Sequence, residues 1–263
     1  MSGLRFSAKS AALLSLAAMP ALSACGDTVP LRHQELLAAE ATRVPEAVMF
    51  MYDRSGSIQV HQLEHAHSLV SERVGRLTHG DHIAAIQVLQ RSVTEVPLRW
   101  SQAIPARERD DLVLAGDSIS RERFVRDAVT YLENFVDPTG REEIQGTDVI
   151  STLHDVAEEF RPLRGTRKTL VIFSDMLQST PEIEMEGGRR MPESRWVFDA
   201  AGKGILPDLA GICVVVVGGR IDTALGQSVK AFWKQYFDAA GATLYDRNYS
   251  YRPVQLPPGD ACA

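Results

Sequence analysis

Val48-Met49-Phe50-Met51-Tyr52-Asp53-Arg54-Ser55-Gly56-Ser57 is the stretch on which the fold turns. Its first five residues are apolar without interruption. Strict alternation would mark a strand with one face in water. A short unbroken run marks a strand buried on both faces, as in a parallel sheet covered by helices. The run stops at the Asp53 carboxylate and passes into a polar turn whose glycine permits a tight bend. Val60, Leu63, His67, Val70, Val74 and Leu77 then recur at three- and four-residue spacing, which predicts an amphipathic helix.

Strands and helices continue to alternate outward from this unit. Gly80-Asp81 ends the helix. His82 to Leu89 and Ser92 to Trp100 are expected as two strands of a hairpin, so one edge strand should run antiparallel. Residues 101–117 have the polarity of a loop. Phe124, Ala128, Tyr131 and Phe135 mark a helix that stops at Asp137-Pro138. Thr147 opens another, with Val149, Leu153, Val156 and Phe160 on its inner face. Lys168 to Ser174 is a strand closed by Asp175, and a polar loop follows over 178–194. A short helix over Arg195 to Ala201 and a very apolar strand, Ile212 to Val217, come next. Val229, Phe232, Trp233, Tyr236, Phe237 and Ala240 form an amphipathic helix whose aromatic stripe is either core or partner surface. Ala242 to Asp246 is expected as the last strand, and 249–263 as an extended tail. The alternation implies an α/β fold in one domain, 45–248, with helices on both faces of a mostly parallel sheet.

In such sheets ligands sit beyond the carboxyl ends of the strands. The residues there are Asp53, Ser55 and Ser57 after the first strand, Thr147 at a helix start, and Asp175 after the strand 168–174. All are oxygen donors, with no imidazole or thiolate among them. That set suits Mg²⁺ or Mn²⁺ and disfavours zinc or copper. Taken singly, each residue has a plainer role, such as a strand end, a turn hydrogen bond or a helix N-cap. The ordered set, Asp53-x-Ser55-x-Ser57, then Thr147, then Asp175, resembles the metal-ion-dependent adhesion site of von Willebrand factor A domains.

That resemblance spans about 45–248. It implies a Rossmann-like, doubly wound, six-stranded sheet in the order 3-2-1-4-5-6 with strand 3 antiparallel. It also implies direct metal ligation by Ser55 and Ser57, and by Thr147 in the ligand-bound state. Asp53 and Asp175 would act through waters or as outer acceptors. One coordination position would stay open to an acidic side chain of a protein partner. Neutral hydroxyls leave the cation electrophilic, which is the reason a carboxylate from outside would be drawn in. One departure is visible: the family often has glycine after the last Asp, and here the residue is Met176.

Other chemistries find less support. His61 and His65 lie one helical turn apart and could share a metal, while His67 falls on the apolar face. A serine hydrolase would need a base beside its nucleophile, and Arg54-Ser55-Gly56-Ser57 is not G-x-S-x-G. His154 is the one histidine available for that role. No phosphate-binding glycine loop occurs. The expectation is therefore a binding protein and not an enzyme, the alternatives being a metal-independent scaffold and, behind it, a hydrolase.

The amino terminus carries Arg5 and Lys9 followed by a short apolar segment, Ala11 to Leu22, too short to span a bilayer. Residues 1–24 are expected as a signal peptide. Leu22-Ser23-Ala24-Cys25 resembles the bacterial lipobox, which implies cleavage before Cys25, its lipidation, and a tether over 25–44. The alternative is ordinary secretory cleavage after Ala24. Gly26 after the cysteine favours, by the same resemblance, the outer membrane of the envelope. The chain of 263 residues has 28 Lys+Arg and 34 Asp+Glu, a net charge of −6. Loss of Arg5 and Lys9 with the leader, and of no acid, moves it to −8. That balance argues against a nucleic-acid partner. In an oxidising compartment Cys213 and Cys262 are candidates for a disulfide; the alternative is one buried thiol and one tail thiol.

Overall fold

A computed structural model describes residues 38, 42–56, 58–88, 97–105, 114–137, 146–186, 191–259 and 262, with the backbone alone at 114–117 and 194. The expected leader, Cys25 and Ser57 lie outside the described residues, as do Arg189 and Arg190 of the loop 178–194. The chain divides into two units, Met1–Thr42 and Arg43–Ala263. In the first, Ala38 and Thr42 are helical, and the Thr42 hydroxyl donates to the Ala38 carbonyl.

The second unit is built on a six-stranded sheet: β1 (Glu46–Asp53), β2 (His82–Val88), β3 (Arg99–Ala103), β4 (Arg167–Phe173), β5 (Ile212–Val217) and β6 (Tyr249–Ser250). The order is β3-β2-β1-β4-β5-β6, with β3 antiparallel to β2 and every other pair parallel. Among the described residues five helices flank it: α1 (Val60–Gly75), α2 (Leu114–Val136), α3 (Val149–Phe160), α4 (Ser194–Gly202) and α5 (Ala224–Ala239).

The unbroken apolar run of β1 has the consequence expected of it. Ala47, Met49 and Met51 point into a cluster shared with α3, α4 and α5. Val48, Phe50 and Tyr52 point the other way, into a cluster shared with α1 and α2. Burying both faces of a strand leaves no polar side to orient it, so the two helical layers fix it from either side. The Tyr52 ring lies 5.1 Å from Phe173 and 5.5 Å from Phe135, locking β1 to β4 and to α2. The aromatic stripe of α5 is core: Phe232, Trp233, Tyr236 and Phe237 are all buried. On α1, Leu63, Val70 and Val74 are buried as the spacing predicts, as is Leu77 just beyond its end, but Val60 is exposed and His67 is half-buried, 3.5 Å from Glu133.

Three boundaries differ from expectation. The hairpin strand runs over Arg99–Ala103, not over Ser92 to Trp100, and β2 ends at Val88; residues 89–96 between them lie outside the described residues. As an exposed edge strand, β3 has no buried alternation to announce it. Helix α2 begins at Leu114, inside the expected loop. Finally, Ala242 to Asp246 supplies only one bridge, Thr243 to Cys213, before a 3₁₀ turn at Asp246–Asn248. The sixth strand proper is Tyr249–Ser250, so the segment 249–263 enters the sheet at its first two residues.

Beyond β6 the chain returns along the sheet. The His65 ring nitrogen Nε2 lies 2.9 Å from the Pro253 carbonyl. Leu256 is buried in the cluster of α1 and α2. A Cβ at Gly259 would lie 2.2 Å from Glu46, so the backbone passes there in close contact with the start of β1. Cys262 is disulfide-bonded to Cys213, with Cα atoms 5.5 Å apart. That start of β1 carries buried charge: Arg73 pairs with Glu46, and Asp81 accepts from the Glu46 N–H (2.7 Å) and pairs with Arg43 at 2.7 Å.

Candidate metal centre at the strand ends

Parallel pairing of β1 with β4 runs in register up to Tyr52 opposite Phe173. The next residues along, Asp53 and Ser174, therefore stand side by side at the carboxyl end of the sheet. Asp53 is buried, and its carboxylate is held from two directions. Oδ1 accepts from the Ser55 N–H at 2.8 Å, and Oδ2 accepts from the Ser174 hydroxyl at 2.7 Å. The first bond closes a tight turn directly after the strand, and Ser55 O then accepts from the Ile58 N–H at 3.1 Å. Ser55 is buried within that turn. Arg54 points away from it, donating to the Asp137 carbonyl at 2.6 Å.

Ser174 is the residue that sequence reasoning missed. Its hydroxyl donates to Asp53 and accepts from the Met176 N–H at 2.8 Å. It thus ties the turn after β1 to the turn after β4. Met176 stands where glycine was expected from the resemblance, and its φ is +66°, the left-handed region that a non-glycine residue enters at a cost. Two contacts hold it there. Its side chain is fully buried, and its carbonyl accepts from Trp233 Nε1 at 2.7 Å. Asp175, just before it, is half-buried and accepts from the Leu177 N–H at 3.1 Å.

Thr147 enters from a third direction. It pairs with Ser179 in a one-residue antiparallel bridge, Thr147 N to Ser179 O at 3.2 Å and Ser179 N to Thr147 O at 2.8 Å. It is not the N-cap of α3. That role belongs to Asp148, whose Oδ1 accepts from the Ser151 N–H at 3.0 Å and from Gln178 Nε2 at 3.0 Å. The plainer reading of Thr147 as a cap is thereby removed. The segment just after Ser179 is anchored: Ile183 and Met185 are buried, and the Ser179 hydroxyl donates to Glu184 at 3.1 Å.

The electrostatics of this edge are set by carboxylates. Burial, and after it the charge of Asp175, raises the Tyr249 phenol above its ordinary range. Burial, and then Asp148, does the same to Tyr236. Arg220 is held above its usual value first by its hydrogen bond to Asp222, with Asp175 among the smaller contributions. Two glycines at the end of β5 admit this packing. A Cβ at Gly218 would meet the Ser174 carbonyl at 2.8 Å, and one at Gly219 would meet the Tyr249 ring at 2.3 Å.

Four of the five residues singled out from the sequence, Asp53, Ser55, Thr147 and Asp175, are thus carried by three segments that converge at one end of the sheet. Ser57 lies outside the described residues. Among the described residues no group of three or more His, Cys, Asp and Glu side chains could hold a metal; this set differs in drawing half its donors from hydroxyls. Of the α1 histidines, His65 has its Nε2 2.9 Å from the Pro253 carbonyl. His154 lines a basin with Lys168 and Ile212, at the opposite end of the sheet from Ser55.

No protein-family model matches the chain, and no curated protein sequence matches it. Similar solved structures include an aerotolerance-related membrane protein from Bacteroides fragilis, with 16% identity, 82% of this chain and 94% of that chain covered, and a TM-score of 0.42. Proximal thread matrix protein 1 from the mussel byssus has 11% identity, covers 75% of this chain and 46% of its own, and has a TM-score of 0.38. A von Willebrand factor type A protein from Catenulispora acidiphila has 13% identity, coverage of 78% and 40%, and a TM-score of 0.37. Likeness at this level is a matter of general architecture. The fold is established by its own strand order, which is the order 3-2-1-4-5-6 with an antiparallel third strand.

Proposed function

We propose that the unit Arg43–Ala263 binds Mg²⁺ or Mn²⁺ at the carboxyl ends of β1 and β4 and uses it to capture an acidic side chain of a protein partner. The observation that carries this reading is the tie between the two strand ends: buried Asp53 accepts from both Ser55 and Ser174. With both of its oxygens so engaged, Asp53 suits a role one step out from the cation, through water. The hydroxyls of Ser55, Ser57 and Thr147 would supply the direct ligands, and Asp175 an outer carboxylate. Hard oxygen donors of this kind fit Mg²⁺ or Mn²⁺ in chemistry. A cation held mostly by neutral oxygens keeps its charge for the incoming carboxylate.

We infer binding and not turnover. The placement of His154 at the other end of the sheet supports that inference, because a serine nucleophile at Ser55 would lack its base. We further infer an exported chain, lipidated at Cys25 and held in the bacterial envelope for adhesion or for assembly of an envelope complex. The Cys213–Cys262 disulfide suits that oxidising setting.

Calorimetric titration with Mg²⁺ and Mn²⁺ tests the metal. The protein should bind one equivalent, and Ser55→Ala or Asp175→Asn should weaken binding while the fold is retained. Absence of binding, or binding indifferent to both substitutions, sinks the reading. Partner capture that survives a chelator would point instead to a metal-independent scaffold.

A further inference from the structure

The turn from α3 into β4 reads Arg161-Pro162-Leu163-Arg164-Gly165-Thr166-Arg167-Lys168, four cations in eight residues with no acid among them. In a chain of net charge −6 this is a local reversal of sign. Arg161, Arg164 and Arg167 are exposed and Lys168 is half-buried. Arg161 pairs with Glu158. Among the described residues no carboxylate lies within ion-pair distance of the other three. Arg161, Arg164 and Lys168 also line an open basin of about 570 Å³, which holds Glu158, Asp208 and His154 as its other titratable groups. The cations therefore outnumber the acids facing them.

The position of this turn in the fold gives the charge a direction. The Arg167 N–H donates to the Pro45 carbonyl at 2.9 Å, immediately before β1 begins. The turn thus sits where the chain enters the sheet. The candidate metal centre lies at the far ends of the same two strands, about 25 Å away for eight residues of strand. About 20 residues separate Cys25 from Pro45 in the sequence. A lipid on Cys25, as proposed above, would attach the chain on the side from which it enters β1, and near a bilayer a cluster of Lys and Arg is attracted to anionic headgroups.

We propose that residues 161–168 form a docking surface for anionic phospholipid headgroups, which holds the sheet with its amino-terminal edge on the membrane and the strand ends at Asp53 and Asp175 facing away. The contact is electrostatic and of the kind that salt screens. It also leaves the other end of the sheet clear for a partner.

The test uses the full chain carrying Cys25→Ser, so that no lipid is attached, with phosphatidylcholine vesicles containing or lacking phosphatidylglycerol. Comparing variants in this one background cancels whatever residues 1–42 contribute. Arg164→Glu with Arg167→Glu changes two exposed side chains and leaves the backbone bond to Pro45 in place. Each cation lost near an anionic surface costs about fivefold in affinity, so this pair should bind phosphatidylglycerol vesicles at least about tenfold more weakly. The original chain should lose the same advantage in high salt. Arg123→Glu with Arg126→Glu, two exposed changes on α2, should bind like the original, and a chelator should have no effect, which keeps the outcome separate from that of the metal titration. Equal vesicle binding by the two variant pairs, or no preference for phosphatidylglycerol, overturns the proposal. So does a turn variant that keeps its vesicle binding but loses affinity for polyglutamate, which would make the surface one for an acidic protein.

Discussion

Replacement of Met176 sets two effects of known sign against each other. Met176 holds φ +66° with its side chain fully buried in the cluster of α3, α4 and α5. A non-glycine residue in the left-handed region costs about 1–2 kcal/mol. Truncation of a buried methionine costs about 2–5 kcal/mol, because the vacated volume collapses only partly. Met176→Ala keeps the strain and loses the packing. Met176→Gly loses the packing and relieves the strain, less the added freedom of glycine in the unfolded chain, about 0.5–1 kcal/mol. The packing effect wins, so Met176→Gly should be less stable than the original by about 0.5–5 kcal/mol and more stable than Met176→Ala by up to about 1.5 kcal/mol. Urea denaturation followed by tryptophan fluorescence measures both differences; Trp233, which donates to the Met176 carbonyl, is a local reporter. If the glycine variant is the most stable of the three, the side chain contributes no packing and the reasoning is refuted. If it falls below the alanine variant, the backbone strain is refuted instead.

Other expectations follow from the same geometry. Ser174→Ala removes one donor from the buried Asp53 carboxylate and the hydroxyl acceptor from the Met176 N–H; at about 1–3 kcal/mol for each, it should lower stability by about 2–6 kcal/mol, and a loss under 0.5 kcal/mol in urea melts would contradict the bonding. Reduction of the Cys213–Cys262 disulfide opens a loop with a sequence separation of 49, which in the chain-entropy account costs about 4 kcal/mol, visible as a lowered melting temperature with reductant; an unchanged melt would show that the bond does not constrain the unfolded chain. His82 is held below its usual value by burial, a shift that Glu159 only partly opposes. The unfolded chain then binds the proton more readily, so stability is full above about pH 6.5 and declines as pH falls below it. His82→Gln should flatten that part of the pH–stability curve, and an equally steep curve would assign the dependence elsewhere.

The fold was legible where burial is two-sided and opaque where it is not. The run Ile212–Val217 coincides with β5 because every residue in it is buried and the glycines at 218 and 219 close it. Val48 to Asp53 is likewise buried throughout, although β1 begins two residues before it, at Glu46. Strand β3 fails this test: of Arg99–Ala103 only Trp100 is even half-buried. Its pairing with β2 is a backbone matter that side-chain pattern does not record. The sixth strand fails for another reason. Ala242-Thr243-Leu244 has a strand-like pattern, yet only Thr243 bridges to β5. Asn248, buried beside the Cys213–Cys262 pair, sits in the 3₁₀ turn that interrupts the strand, with its amide 3.5 Å from the Cys262 sulfur. Local periodicity carries no sign of a turn fixed by a contact with residue 262.

The candidate site was legible in its ends and not in its ties. Asp53, Thr147 and Asp175 stand out because each follows a strand or opens a helix, and strand ends in a parallel sheet converge. Which of two adjacent polar residues would cap α3 is a different kind of question. Thr147 and Asp148 are both competent N-caps by chemistry. The choice falls to Asp148 because Thr147 has both backbone groups committed to Ser179, which pulls it into extended conformation and away from the helix axis. Ser174 is the sharper case. A lone serine at the end of an apolar strand has no distinguishing context in sequence. It acquires one only from register: Tyr52 opposite Phe173 fixes Asp53 beside Ser174, and a one-residue slip would turn that hydroxyl to the other face. The residues that would meet a ligand can therefore be read from strand ends, while those that hold them still are set by pairing between strands more than a hundred residues apart in sequence. A substitution at Ser174 or Met176 should accordingly disturb the site through its geometry, although neither residue belongs to the donor set.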